Sequence, residues 1–319
     1  MWRSKGYPLH SRGISSPAMG RLAGDSRQCA DALAVVLVAL LIIVALIGGS
    51  LIGLTMTPSL SLLMSVSAGL LLIAACYFAF RPTETKLFQI ALYIALWMAF
   101  PPFGVRLTYL GSALGFPLQD QVYAMADAAL GLSWIEWADF ITRNPWLNQM
   151  ARLAYASSYW QPFVITVTLA LFGRRDDNAK FLIAMLVALA LTMIPHTIWP
   201  SVGPAPSNGF ENRWNDVVMA LRAGHPWELP YVGIITFPSF HATMATLFVL
   251  VCRNVPVAAV IASAVNLCML ASIPYPGGHY FVDVPAGVAI AVAGYWAAGY
   301  LCQASTTTFG HDQAPRQTL

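Results

Sequence analysis

His279 and Asp283 stand four residues apart in Gly278-His279-Tyr280-Phe281-Val282-Asp283. On a helix, i, i+4 spacing puts both side chains on one face. A carboxylate there accepts a hydrogen bond from one imidazole nitrogen, fixes the tautomer and leaves the other nitrogen basic and nucleophilic. A second histidine, His241, follows Pro238-Ser239-Phe240; facing the same reacting atom, it would give a proton to a leaving group. Pro276-Gly277-Gly278 lies just ahead of His279. Glycine allows backbone N–H groups close to an anion, and a helix N-terminus favours negative charge. Nucleophile, orienting carboxylate, acid and anion-friendly backbone together describe transfer of a phosphoryl-type group.

The same residues have a plainer explanation. A membrane histidine is ordinarily a hydrogen-bonded interfacial residue, and an aspartate at the end of a span sits in headgroup water at little cost. His196, in Ile194-Pro195-His196-Thr197, is expected to be of that kind. A metal site would need a third ligand and none is obvious, so no metal is expected. His225 and His311 lie in polar segments and are assigned no role.

What must position these residues is a set of membrane spans. Of 319 residues, 58% are hydrophobic and 10% charged, against about 25% charged in a soluble domain. These figures exclude disorder, collagen-like repeats and a disulfide scaffold. With 17 Lys+Arg against 14 Asp+Glu the net charge is only +3, without the dominant basic cluster of a nucleic-acid-binding protein. A span takes about 20 mostly apolar residues. Eight segments qualify, at about 32–55, 59–80, 87–108, 152–172, 180–200, 238–254, 256–275 and 280–302. Pro101-Pro102 interrupts the third, and the sixth and seventh are short. The first follows a polar tail of about 30 residues and is too long for a cleaved signal peptide, so it is expected to remain as an anchor.

With the N-terminus inside, the inner segments hold 12 of the 17 cations, and the outer ones hold Arg106, Arg143, Arg152, Arg213 and Arg222. That bias predicts an even number of spans and both termini in the cytoplasm; the plasma (inner) membrane is the expected location, although charge alone does not distinguish it from an organelle membrane. One hairpin through Arg253 separates the His241 and His279 spans, so both begin on the same, outer face. Cys29 ends the inner tail and the other four cysteines fall within spans, which implies no outer disulfide.

Two long segments remain outside. Residues 109–151 are amphipathic, with Asp120, Asp127 and Asp139 among Leu, Ala and Trp. Trp134, Trp137 and Trp146 suit a helix lying at headgroup level, and a membrane-surface cap is expected rather than a direct substrate role. Residues 201–237 are rich in Pro, Gly and Asn and are expected to form an irregular loop.

Pro238-Ser239-Phe240-His241 resembles the Pro-Ser-x-His motif, and Gly278-His279-Tyr280-Phe281-Val282-Asp283 the Gly-His-Tyr-x-x-Asp motif, of the type 2 phosphatidic acid phosphatase superfamily. Tyr155-Ala156-Ser157 with Gln161, and Trp199-Pro200-Ser201-Val202-Gly203-Pro204, resemble signatures of its inositol phosphorylceramide synthase-like branch. The resemblance covers about residues 85–303. It implies an all-α polytopic membrane protein with a six-helix core at 85–303, preceded by a cytoplasmic tail (1–30) and two additional transmembrane helices (31–84), and followed by a C-terminal tail (304–319). It also implies that His279 is the nucleophile of a phosphohistidine intermediate, that Asp283 orients it, and that His241 protonates the departing alcohol. Ser239, Gly278, Tyr155, Gln161 and Gly203 would bind substrate, and no metal or organic cofactor would be required.

The departures from the phosphatase pattern bear on substrate. No Arg-Pro follows Lys180 at the phosphatase spacing, Ser272-Ile273 stands where Ser-Arg is usual, and Phe240 replaces a glycine. A phosphomonoester dianion needs several cationic donors, whereas a phosphodiester carries one charge. The expected function is therefore transfer of a phosphoryl or phospho-headgroup from a membrane phospholipid to an alcohol or to water. The alternatives are a phosphatase acting on phosphatidic acid or an isoprenyl diphosphate, and a non-catalytic lipid-binding or transport protein.

Overall fold

The computed structural model describes residues 17–55, 58–81, 83–210, 213–224 and 231–311. Arg3, Lys5 and Arg12 of the basic tail, His225 and Arg316 lie outside them. Among the described residues the regular structure is helical throughout: α1 (Pro17–Leu51), α2 (Pro58–Ala79), α3 (Thr85–Ala113), α4 (Asp120–Ala129), α5 (Trp134–Arg143), α6 (Pro145–Ala156), α7 (Gln161–Leu171), α8 (Arg175–Ile198), α9 (Arg213–Arg222), α10 (Phe240–Cys252), α11 (Pro256–Ser272) and α12 (Asp283–His311). Among the described residues, four helices are long and apolar enough to cross a membrane: Cys29–Leu51 within α1, α3, α8, and Asp283–Ser305 within α12. Four shorter apolar helices, Met64–Ala79, α7, α10 and α11, fall in the other segments expected to span. Val257, Val260, Leu267, Trp296 and Tyr300 are each at least 70% exposed. An apolar surface of that kind needs hydrocarbon around it.

The core gathers on α8, where Phe181 to Met185 are wholly inaccessible and pack with Trp97 of α3 and Phe248 of α10. α12 crosses α10 closely. A Cβ on Gly287 would lie 2.2 Å from the Ser239 carbonyl oxygen, so a hydrogen side chain is what permits this approach. The Thr243 hydroxyl donates to the Gly287 carbonyl at 2.9 Å across the same contact. α1 is fastened to this core at both ends of its apolar stretch, Cys29–Leu51. Asp31 accepts from Tyr93 Oη at 2.5 Å and pairs with Arg175. Toward the C-terminal end of α1, Arg106 of α3 donates to the Ala45 and Leu54 carbonyls, each at 3.0 Å.

The structure corrects four expectations. α3 runs unbroken through Pro101 and Pro102; each proline removes only one backbone hydrogen bond, and tertiary packing holds the helix on either side. The segment 152–172 is instead divided between α6 and α7 by a 3-10 turn at Ser157–Tyr159. The Ser157 and Ser158 hydroxyls there donate to the Ala154 and Tyr155 carbonyls and compete with the helical ladder. The loop 201–237 contains α9, whose Val217, Val218 and Leu221 recur at helical spacing and pack on Tyr109 and Ile234. Trp134, expected on a membrane-facing surface, is instead buried within the protein, and its Nε1–H donates to the Pro274 carbonyl at 2.7 Å.

Candidate active site

α10 and α12 begin side by side. Ser239 is the N-cap of α10, its hydroxyl accepting from the Ala242 N–H. Its own N–H donates to the Asp283 carbonyl at 3.1 Å. His241 therefore sits in the first turn of α10. His279 does not share a helix with Asp283, because α12 starts only at Asp283. The expectation of one helical face is thus corrected: the residues meet across a turn whose N–H groups are taken by side chains. Asp283 Oδ2 accepts from the Tyr280 N–H at 2.9 Å and lies 3.2 Å from His279 Nδ1.

His279 Nδ1 has a second neighbour, the Thr236 carbonyl oxygen at 2.9 Å. Both neighbours are acceptors, so Nδ1 carries the hydrogen and Nε2 carries the lone pair. His241 is held differently. Its ring stacks on Tyr155 with centroids 3.9 Å apart, and its Nδ1 is 2.9 Å from the Tyr155 hydroxyl. The two imidazole centroids are 6.3 Å apart and their planes are 70° from parallel.

Both histidines line a cavity of about 280 Å³. Gly277, Gly278 and Tyr155 stand beside them, while Thr108, Gly104, Phe100 and Trp97 of α3 form one wall. From Thr108 to Trp97 this wall descends about 16 Å at 1.5 Å per residue. Among the described lining residues none is Lys, Arg, Asp or Glu. Three of the arginines expected on the outer side are engaged elsewhere. Arg106 holds α1, Arg152 donates to Asn148 Oδ1 and lies over the Tyr275 ring, and Arg222 donates to the Phe116 and Gly115 carbonyls. The Tyr231 hydroxyl is buried without a hydrogen-bond partner, and Tyr231 lines the cavity.

Of the five residues expected to bind substrate, Tyr155 and Gly278 line this cavity. The other three build its surroundings. Ser239 is the α10 cap just described. Gln161 is buried and does not line the cavity, its amide paired with Asn266 at 2.8 and 3.2 Å. Gly203 presses on Gly278, and a Cβ on Gly203, whose φ is +85°, would come within 2.1 Å of the Gly278 carbonyl oxygen. Gly203→Ala is expected to drive the two loops apart and cut turnover at least about tenfold, since active-site geometry tolerates little displacement. Turnover rates of the purified variant against wild type check this. His196 is buried between α3 and α8, with Nε2 3.1 Å from the Thr108 carbonyl oxygen, a hydrogen-bonded contact between helices.

Sequence reasoning did not assign a role to Asp120, Asp127, Thr236 or Tyr231. Asp127 accepts from the Phe281 and Val282 N–H groups at 2.8 and 3.0 Å. Burial raises its carboxyl above the ordinary pKa, and these two bonds oppose the shift. Asp120 accepts from the Ser201 hydroxyl and from the Val202 and Gly203 N–H groups. The seven-residue interval between the two aspartates was the available signal, since it places them on one helix face.

A family model described as the PAP2 superfamily matches residues 121–297, more than half of the chain and both histidine motifs. The chain belongs to the PAP2 superfamily. Membership of the PAP2 superfamily points to a phosphatase or phosphotransferase acting on phosphate esters, and the apolar helices mark this PAP2 protein as an integral membrane protein. No curated protein and no solved structure matches the chain.

Proposed function

We propose that this PAP2 protein is a membrane lipid phosphotransferase that acts on a phosphodiester through a phosphohistidine at His279. The observation that carries the proposal is the fixed tautomer of His279 opposite His241, in a cavity with apolar walls and no described cationic lining residue. His279 Nε2 attacks phosphorus, forming a P–N bond as the P–O bond to the departing alcohol breaks. Protonated His241 gives its proton to the departing oxygen, and Asp283 stabilises the positive charge arising on His279. In the second step an acceptor hydroxyl attacks phosphorus, His241 takes its proton and the P–N bond breaks.

A lipid substrate fits the cavity because the α3 wall is long enough to receive an apolar chain beside the reacting phosphate. A single negative charge fits it as well. Tyr155, Tyr231 and the backbone N–H of Gly277 offer neutral hydrogen bonds, whereas a dianion calls for charge-assisted donors. The resemblance to the inositol phosphorylceramide synthase-like branch supports the same assignment. The four long and four shorter apolar helices are assigned as eight spans with a six-helix core from residue 85, and the bias of the cations in the sequence is the support for cytoplasmic termini and an outward-facing site.

The experiment is product analysis with a headgroup-labelled phospholipid, with and without an added alcohol acceptor. The expected result is label joined to the acceptor, with little inorganic phosphate. Release of inorganic phosphate from phosphatidic acid, unaffected by acceptor, would establish a monoester phosphatase instead. Lipid that binds to the wild-type protein and is recovered unchanged would establish a lipid-binding protein.

A further inference from the structure

We infer that α4 is the positioning element of the site, with Asp120 and Asp127 setting the placement of His279 through the two loops that surround it. The inference rests on the assignment of His279 as nucleophile. Asp127 is 4% exposed, and its two oxygens take the consecutive N–H groups of Phe281 and Val282. Asp283 takes the N–H of Tyr280. Three successive N–H groups after His279, which no helical carbonyl can reach, are thereby bound by two carboxylates.

Two turns earlier on the same face, Asp120 holds Ser201, Val202 and Gly203, and lies 3.3 Å from the Tyr280 hydroxyl. Gly203 in turn abuts the Gly278 carbonyl. The loop is thus pressed from one side ahead of His279 and held from the other side behind it, both times from α4. Neither aspartate lines the cavity, so each acts through His279 and not on substrate. A helix that only covered the membrane surface would have no use for buried charge, because desolvating a carboxylate is expensive unless its bonds repay it. Asp139 of α5 shows the contrast: it pairs with Arg143 on the surface, and both side chains are exposed.

The test is Asp127→Asn in the full-length protein in detergent micelles. Asparagine keeps one acceptor oxygen but turns an NH2 group toward an N–H, leaving one of the two backbone donors unbound. The expected result is a kcat about 10²-fold lower, the effect of a displacement on the order of 1 Å in a positioned group, with KM within about twofold of wild type. Hydrogen exchange is expected to quicken at 279–283 and to stay unchanged in α8 and α10; a merely structural role would loosen the fold broadly and would not separate kcat from KM. Asp139→Asn is expected to match wild type in both measurements.

Wild-type kcat in Asp127→Asn, with unchanged exchange at 279–283, would overturn the inference and leave the phosphotransfer assignment standing. Faster exchange confined to 279–283, in a protein whose wild type turns over no phospholipid, would support the positioning role and remove the assigned chemistry. If Asp127→Asn does not yield folded protein, Asp120→Asn, read at 201–204 and 278–280, decides by the same criteria.

Discussion

His279→Ala is expected to lower phospholipid turnover by about 10⁴-fold or more, the scale on which covalent enzymes lose rate when the nucleophile is removed. His241 cannot take over, because its Nδ1 is engaged by Tyr155 and its assigned task is to move the proton. Wild-type protein quenched in alkali during turnover is expected to retain phosphoryl label, and the Ala variant to retain none. The truncation leaves the Thr236 carbonyl and Asp283 Oδ2 without their imidazole partner, so thermal unfolding should be followed alongside turnover. Added imidazole, entering the space the ring occupied, is expected to restore part of the rate. Equal turnover by wild type and variant would remove His279 from the mechanism.

Asp283→Asn is expected to cost about 10²–10³-fold in kcat. Where a carboxylate is the sole partner of a catalytic histidine, replacing it by the amide costs about 10⁴-fold, because the wrong tautomer results. Here the Thr236 carbonyl at 2.9 Å still accepts from Nδ1–H, so the tautomer survives in part. The lost charge no longer stabilises the imidazolium-like phosphohistidine, and that electrostatic contribution accounts for the remainder. Measurement of kcat at saturating lipid decides between these magnitudes. A loss below about threefold would mean that the carboxylate only packs against the ring, whereas a loss near 10⁴ would mean that Thr236 contributes nothing to the tautomer.

The histidine motifs and the helical class were legible because residue type alone carries them: imidazole beside carboxylate is rare in apolar sequence, and long apolar runs are unambiguous. The placement of His279 off the helix was not legible, because i, i+4 spacing also fits a turn in which side chains occupy the N–H groups of 280–282. α9 escaped because Pro and Gly on either side masked a short apolar pattern at Val217, Val218 and Leu221. Trp134 carried a surface signature, yet its partner is a backbone carbonyl 140 residues away. The aspartates of α4 are the sharpest case. Their partners are mostly backbone N–H groups, identical in every residue type but proline, so no pairing of side chains in the sequence could announce them.

The attachments of α1 bear on what has been inherited and what must fold. The family signature spans 121–297, yet Arg175 inside that stretch is neutralised by Asp31 far outside it. Removing that partner would strand a guanidinium that is 19% exposed, a loss of up to about 3–5 kcal/mol for a buried pair. At the other end, Arg106 would lose the Ala45 and Leu54 carbonyls that now receive its protons. Homology and packing therefore have different borders in this chain: the family match begins at residue 121, while the contacts that neutralise and hold its side chains reach back to the first helix.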